Sequence, residues 1–306
     1  IVAWSLMVVS DMQEGQMNFA QLLPLVAGLY LAQRETPASD LGAGTLIALA
    51  IAVKVTPVVF VAYFFWRRRW RIVGSAGVSL LVWWFVVPTI AFGWEQNVKW
   101  FGQWARIMLL PYIVQGKIVY ATSLSFPSFA LRLLSESPAF HTRHDILQPH
   151  YMNVVSLSPD AVHQVVRAIM VAVALAGLWW MRSPLRSFKS PRYVLEIGAV
   201  SAFMVWFSER SWVHHYISII LMFGGAGMLL SDPARTAASK RRITASLWAF
   251  VLLSALSTEA GQIFGPDGID WARALGAYLL PSILVSAVVL RESRDTRELH
   301  SNRVGV

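Results

Sequence analysis

The stretch Leu41-Gly-Ala-Gly-Thr-Leu-Ile-Ala-Leu-Ala-Ile-Ala-Val-Lys54-Val-Thr-Pro57-Val-Val-Phe-Val-Ala-Tyr-Phe-Phe-Trp66 is followed directly by Arg67-Arg68-Arg69-Trp70-Arg71. It has 26 residues, and Lys54 is the only charge among them. A bilayer-spanning helix takes roughly 20 apolar residues, so a run of this length belongs in a membrane. As a single tilted helix it would be about 39 Å long at 1.5 Å per residue. The other possibility is a hairpin of two short helices broken around Lys54-Val55-Thr56-Pro57. Proline lacks a backbone donor and disfavours helix at the residue before it. A break of this kind is tolerated at membrane depth only when buried in protein or lining a wet cavity. One helix would leave Gly15-Gln16 on the cytoplasmic side and a hairpin would leave it outside; the polar residues discussed below favour the hairpin.

Composition supports the same class. Of 306 residues, 56% are hydrophobic and 14% charged, and the mean hydropathy is +0.52. Soluble domains carry about a quarter charged residues, so a typical cytosolic enzyme is excluded, as is a disordered chain. The 14 Trp, 16 Phe and 8 Tyr suit interfacial aromatic belts. With no cysteine there is no disulfide, thiolate nucleophile or zinc-thiolate site. The net charge of +9 sits in short Lys/Arg clusters beside apolar runs. That pattern marks cytoplasmic loops facing anionic lipid rather than a nucleic-acid surface.

Spans are expected near 18–33, 72–93, 161–181, 193–208, 213–230, 243–263 and 272–290, besides the 41–66 segment. The basic clusters are Arg67 to Arg71, then Arg182, Arg186, Lys189 and Arg192, then Arg235, Lys240, Arg241 and Arg242, then Arg291, Arg294 and Arg297. Two spans separate each cluster from the next, which puts all four on one side, the cytoplasm. Segment 94–160 is then an outer loop, and 291–306 a cytoplasmic tail. Within the loop, Trp94, Val98, Phe101, Trp104 and Met108 share a helical face from Trp94 to Leu110, the pattern of an amphipathic helix lying at the interface. The chain begins Ile1-Val2-Ala3-Trp4 with an apolar run of only about nine residues, short of the ~20 of a span, so it reads as a single membrane domain whose N-terminal spans are missing. No internal repeat is visible, which weakens an inverted-repeat transporter.

Four groups of residues have chemistry to offer. Asp11-Met12-Gln13-Glu14-Gly15-Gln16-Met17-Asn18 leads into a span holding Gln21 and Pro24; it reads either as a sugar-binding entrance or, more simply, as a polar cap with exposed acids. Lys54 is a charge within an apolar run, suited to a phosphate at a helix break or, alternatively, to snorkelling at the interface. Ser208-Glu209-Arg210-Ser211-Trp212-Val213-His214-His215-Tyr216 fills a short outer turn. Its Arg210 suits a phosphate and its imidazoles a sugar; the alternative is an ordinary interfacial turn. Lastly, His141-Thr142-Arg143-His144-Asp145 with His150 has spacing for a metal on a helix, but its surrounding prolines make a solvated loop the better reading. No metal site is expected.

In this order and spacing, Gly15-Gln16-Met17-Asn18, Lys54-Val55-Thr56-Pro57, the Arg67-to-Arg71 cluster and Ser211-Trp212-Val213-His214-His215 resemble glycosyltransferase family 87, over roughly residues 5–230. Ala121-Thr122-Ser123-Leu124-Ser125 departs from the Asn-Gln-Ser-like sequence often found at that place. The resemblance implies an all-α, polytopic transmembrane bundle of GT-C type; the apolar runs give it about 8–9 membrane segments, including the broken or hairpin helix, with the amphipathic interfacial helix outside them. It implies inverting transfer of a hexose, mannose in particular, from a polyprenyl-phosphate sugar to a glycan or glycolipid acceptor on the extracytoplasmic face of the plasma membrane. No cofactor is implied, and the partners are the donor, the acceptor and membrane lipids, not nucleic acid. Lys54 and Arg210 would hold the donor phosphate. Glu14, Gln16, Asn18, Ser211, Trp212, His214 and His215 would line the sugar and acceptor site. The catalytic base is expected in the missing N-terminal loop, which would leave this chain alone inactive; Asp11 is the weak candidate within it. The alternative is a transporter or flippase of a lipid-linked sugar, sharing the cavity and the lysine.

Overall fold

The computed structural model describes residues 2–114, 122–142 and 148–293. Their regular structure is helical apart from one antiparallel ribbon, Phe140–His141 (β1) against Pro149–His150 (β2). The chain divides into two compact units. One comprises Asp11–Val119 with Leu175–Tyr193; the other comprises Ile1–Ser10, Tyr120–Ala174 and Val194–Val306.

The first unit begins in the last turn of α1, Val2–Gln13. Gly15 stops that helix in the left-handed region, at φ +59°. Its N–H donates to Met12 O at 3.2 Å, and the Gln16 N–H donates to Asp11 O at 2.9 Å. These are the paired bonds of a glycine-terminated helix end, so Gly15-Gln16 is a stop signal. Helix α2, Asn18–Ala32, leads to α3, Pro37–Val53. Thr36 and Ser39 cap α3 reciprocally, and Pro37 occupies its first turn, where a missing N–H costs nothing.

At Lys54 the backbone turns extended, φ −155° and ψ 126°, and Pro57 opens the short helix α4, Val58–Trp66. Arg69, at the head of α5 (Trp70–Phe92), is ion-paired with Asp40 in the first turn of α3. In a continuous helix those residues would stand about 44 Å apart at 1.5 Å per residue. The chain therefore goes out along α3 and returns through α4. The 41–66 segment is a hairpin with Lys54 at its turn.

Glycines bring these helices close. A Cβ on Gly28 of α2 would lie 2.9 Å from Ala43 O, and one on Gly44 would collide with backbone at Ile72 and Ala76 of α5. Small residues permit such approaches in membrane bundles. The Thr45 and Ser79 hydroxyls bond across the α3–α5 seam at 3.0 Å. At the Arg69 end, the Arg67 guanidinium donates to Ser183 O at 2.9 Å, and Glu35 accepts the Phe188 N–H at 2.6 Å. Arg69 also lies 4.3 Å over the Phe188 ring. The basic clusters at 67–71 and 182–192 thus share one end of this unit, as their spacing in the sequence requires.

Helix α5 contains a π turn, Val82–Val86, just before Pro88. A proline within a helix returns no N–H to the preceding turn. Asn97 of α6 (Trp94–Trp104) supplies the donor instead: its Nδ2 reaches Trp84 O at 3.0 Å and Phe85 O at 3.3 Å. Trp94, Phe101 and Trp104, from the expected apolar face of α6, pack on Trp84 and Phe85. A second π turn, Ala105–Leu109, precedes Pro111 in the same way.

In the second unit, α7 (Phe126–Leu134) contributes Arg132, 1% exposed, which donates to Ser123 O at 2.7 Å and Ala274 O at 3.1 Å. Helices α8 (Pro159–Trp180) and α9 (Pro191–Trp206) each begin in one unit and end in the other. Helix α10 covers Val213–Ser231, starting as a 3₁₀ turn, and α11 covers Ala237–Ala255. The pair α12 (Gly268–Ala274) and α13 (Leu279–Glu292) is bent by 45°. Arg242 of α11 and Glu292 of α13 form a two-pronged ion pair at 2.7 and 3.0 Å, and Arg235 donates to Glu292 O at 2.5 Å. The clusters at 231–242 and 291 therefore also share an end.

By length and composition, three helices among the described residues can cross a membrane: Trp70–Phe92, Pro159–Trp180 and Val213–Ser231. The bent pair makes a fourth if counted as one span, and Asn18–Ala32 and Pro37–Val53 are shorter apolar helices. This is fewer than the 8–9 segments expected, because several apolar runs are broken. Gly276, at φ +87°, interrupts 272–290. The helix through the 243–263 run is Ala237–Ala255, whose first turns carry Lys240, Arg241 and Arg242, and a separate turn forms at Glu259–Phe264.

Candidate functional site

The polar residues of the first unit converge where α1 ends, α2 begins and α3 breaks. Lys54 Nζ donates to Asn18 Oδ1 at 2.6 Å, and Asn18 Nδ2 donates to Asp11 Oδ1 at 2.7 Å. The other carboxylate oxygen of Asp11 accepts the Phe19 N–H at 2.9 Å. Asn18 thus links a lysine at the C-terminal end of α3 to a carboxylate at the N-terminal end of α2. Lys54 stands at the C-terminal end of its own helix, where a cation is favoured, and Asp11, in the last turn of α1, faces the N-terminal end of the next helix, where an anion is favoured. Asp11 does cap a helix, but it is buried, 2% exposed, rather than solvated as the simpler sequence reading has it. Glu14 and Gln16 are exposed on the loop, with the Gln16 amide directed at Glu14 O; they do not join Asp11, Asn18 and Lys54.

Lys54 is partly buried and carries three N–H donors, one of them engaged by Asn18. A cation held this way at a membrane helix break has the chemistry to donate to an anionic oxygen.

The second region lies in the other unit, at 208–216. Ser211 is fully buried and structural: its hydroxyl donates to Val205 O at 2.7 Å, and its N–H donates to Ser123 Oγ at 2.9 Å. Leu124 N–H donates to Ser211 O at 2.6 Å, and Tyr216 OH donates to Leu124 O at 2.8 Å. The 123–125 loop and the 208–212 turn are laced together through the N–H, carbonyl and hydroxyl of Ser211. Arg210 faces Glu209 across 3.7 Å. Burial raises the Glu209 carboxyl above its ordinary value, against the opposing pull of Arg210. His215 Nδ1 accepts the Trp212 N–H at 2.9 Å, which leaves the proton of a neutral ring on Nε2. His214 is buried, its ring 4.7 Å from that of His215.

In the 141–150 segment, His141 and His150 belong to the β ribbon, and His150 stacks on Phe140 at 4.7 Å. His144 and Asp145 lie outside the described residues, as do Ala121 and Arg294 to Val306. Among the described residues no group of three or more His, Asp or Glu is placed to hold a metal ion. Two structural features escaped the sequence reading. One is Arg132, whose only signal is a cation amid Phe129-Ala-Leu and Leu133-Leu. The other is the pairing of Asn97 with the Pro88 turn, which is not local in sequence.

The model of glycosyltransferase family 87 matches residues 1–208. The chain belongs to that family, and is by that membership a membrane glycosyltransferase. No curated protein and no solved structure matches it. The matched region contains Asp11, Asn18 and Lys54 and stops just before Glu209.

Proposed function

We propose that the chain is an inverting hexosyltransferase that moves a sugar, mannose in particular, from a polyprenyl-phosphate donor to a glycan or glycolipid acceptor. Reaction takes place on the extracytoplasmic face of the plasma membrane, in a bundle of GT-C type. The observation that carries this reading is the Lys54–Asn18–Asp11 connection at the turn of the α3–α4 hairpin, at the opposite end of α3 from the Arg67–Arg71 cluster. With that cluster cytoplasmic by the positive-inside rule, Lys54 stands toward the outer face. There it meets the phosphate of a lipid whose tail stays in the bilayer. Segment 94–160 is then extracytoplasmic and 291–306 cytoplasmic.

In this reading the acceptor hydroxyl attacks the anomeric carbon, the bond to the phosphate oxygen breaks, and the hydroxyl proton passes to a carboxylate base. Lys54 stabilises the negative charge gathering on the departing phosphate. Asp11 is the counter-charge to Lys54 and orients it through Asn18, and it is the weak candidate for that base. Arg210, with five N–H donors, can serve a phosphate while paired with Glu209, and Trp212, His214 and His215 stand beside it in sequence.

The test compares donors in proteoliposomes containing the chain joined to the N-terminal spans expected to carry the base, an acceptor glycan extract and either a polyprenyl-phosphate mannose or a nucleotide mannose. Transfer from the lipid donor alone supports the proposal. Transfer from the nucleotide sugar with the lipid donor inert overturns it, and tight binding of the lipid donor with facilitated crossing but no transfer identifies a flippase.

A further inference from the structure

We infer that Gln21 is a ligand contact of the Lys54 site, its side-chain amide donating to a phosphate oxygen of the lipid donor. The inference rests on the reading of Lys54 as a phosphate contact. Gln21 is 2% exposed, and its Nε2 has no hydrogen-bond partner among the described residues. A buried amide donor without a partner carries a large desolvation penalty, which a bound water, ion or ligand relieves. Gln21 lies three positions after Asn18 and shares its face of α2, about 4.5 Å further along the axis.

The antiparallel register of α2 and α3 places it further. Asn18 meets Lys54, and Gly28 meets Ala43 and Ile47. Gln21 falls between those contacts, at the level of the last turn of α3 before the break. That turn offers Ala50 and Ile51, which have no polar side chain to satisfy an amide. Moving from the hairpin turn into the bundle, the order of groups is a cation, then a neutral donor. That order suits a phosphate monoanion or diester, whose charge binds at Lys54 and whose further oxygen accepts from Gln21. A sugar hydroxyl would have no need of the lysine.

The probe is farnesyl phosphate, titrated into the purified chain in detergent micelles and read by isothermal titration calorimetry. Gln21→Leu fills the same space without the donor. It is expected to raise the Kd about tenfold, one charge-assisted contact, while the variant unfolds at the same temperature or a higher one. Gln21→Met, nearer in shape, is the second variant should Leu fail to fold, with the same expectation. Gln21→Glu, which sets a carboxylate against the phosphate, is expected to weaken binding further. An unchanged Kd in the Leu or Met variant overturns the inference. So does a loss seen only with mannosyl-phosphoryl lipid and not with farnesyl phosphate, since Gln21 would then read the sugar. Lys54→Met separates the two claims. If Lys54→Met weakens farnesyl phosphate and Gln21→Leu does not, only the Gln21 assignment fails; if Lys54→Met has no effect, the phosphate site itself fails.

Discussion

Removing Asn18 puts the linked charges under the most direct strain. Asn18→Leu keeps the side chain's volume nearly constant but deletes both the 2.6 Å bond from Lys54 and the 2.7 Å bond to Asp11. Hydrogen bonds to charged groups contribute about 1.5–3 kcal/mol each. Breaking a buried charge arrangement by removing one member costs about 3–5 kcal/mol. Asp11 keeps its bond from the Phe19 N–H and Lys54 remains partly exposed, so the expected loss lies toward the lower end, about 3 kcal/mol. Asp11→Asn retains an acceptor for Phe19 but removes the charge. Because Asp11 and Asn18 touch, their effects should not add: the double variant should be less destabilised than the sum by about 0.5–3 kcal/mol. The assay is equilibrium unfolding in mixed micelles, followed by tryptophan fluorescence, for the wild type, both single variants and the double. A loss under about 0.5 kcal/mol for Asn18→Leu, the range of an ordinary surface substitution, would refute the idea that this amide joins a buried carboxylate to a partly buried lysine.

Three further outcomes are expected. Asn97→Ala should destabilise by about 1–3 kcal/mol by stranding carbonyls of the α5 π turn, and Pro88→Ala, which restores a backbone donor to that turn, should recover part of the loss in an unfolding titration. Single cysteines are clean probes because the chain has none: an impermeant maleimide on intact cells should label a cysteine at Lys99 and leave one at Arg186 unlabelled until the membrane is opened. Arg242 holds the Glu292 carboxyl below its ordinary value near 4.5 chiefly by hydrogen bonding. The folded state therefore binds that proton less tightly than the unfolded chain, so the pair stabilises above about pH 4.5 and this contribution fades as pH falls. The unfolding temperature of Glu292→Gln should accordingly drop less than that of the wild type between neutral pH and about pH 3.5.

The hairpin was legible because its cause is local. Pro57 ends a run that is otherwise uniformly apolar, and Lys54 is costly there unless the helix breaks. The pairing of basic clusters was legible because it follows from counting spans between them. Burial of Asp11 was not legible, since a polar run of acids and amides looks the same whether it faces water or folds back onto the next helix. Only the glycine stop at Gly15, turning α1 into α2, decides between them. The partners of Ser211, a lining residue by the family resemblance, were not legible either, since its N–H bonds to Ser123, which is distant in sequence. The helices depart from the span list where the 243–263 run ends as a helix at Ala255 ahead of the Glu259–Phe264 turn, and where a single left-handed glycine divides an apolar run, as at Gly276.

The central claim is that Lys54, held by Asn18 at the helix break, binds the phosphate of a lipid-linked sugar donor for transfer. The direct measurement is the donor KM and kcat of wild type and Lys54→Met, each joined to the same N-terminal spans, in proteoliposomes supplied with polyprenyl-phosphate mannose and acceptor, with folding checked by the unfolding temperature. The expected result is a folded variant whose kcat/KM for the lipid donor falls by about tenfold or more, the loss of one charge-assisted contact, with Lys54→Arg recovering only part of it. A folded Lys54→Met protein that transfers mannose from the same donor with unchanged kcat/KM would contradict the account.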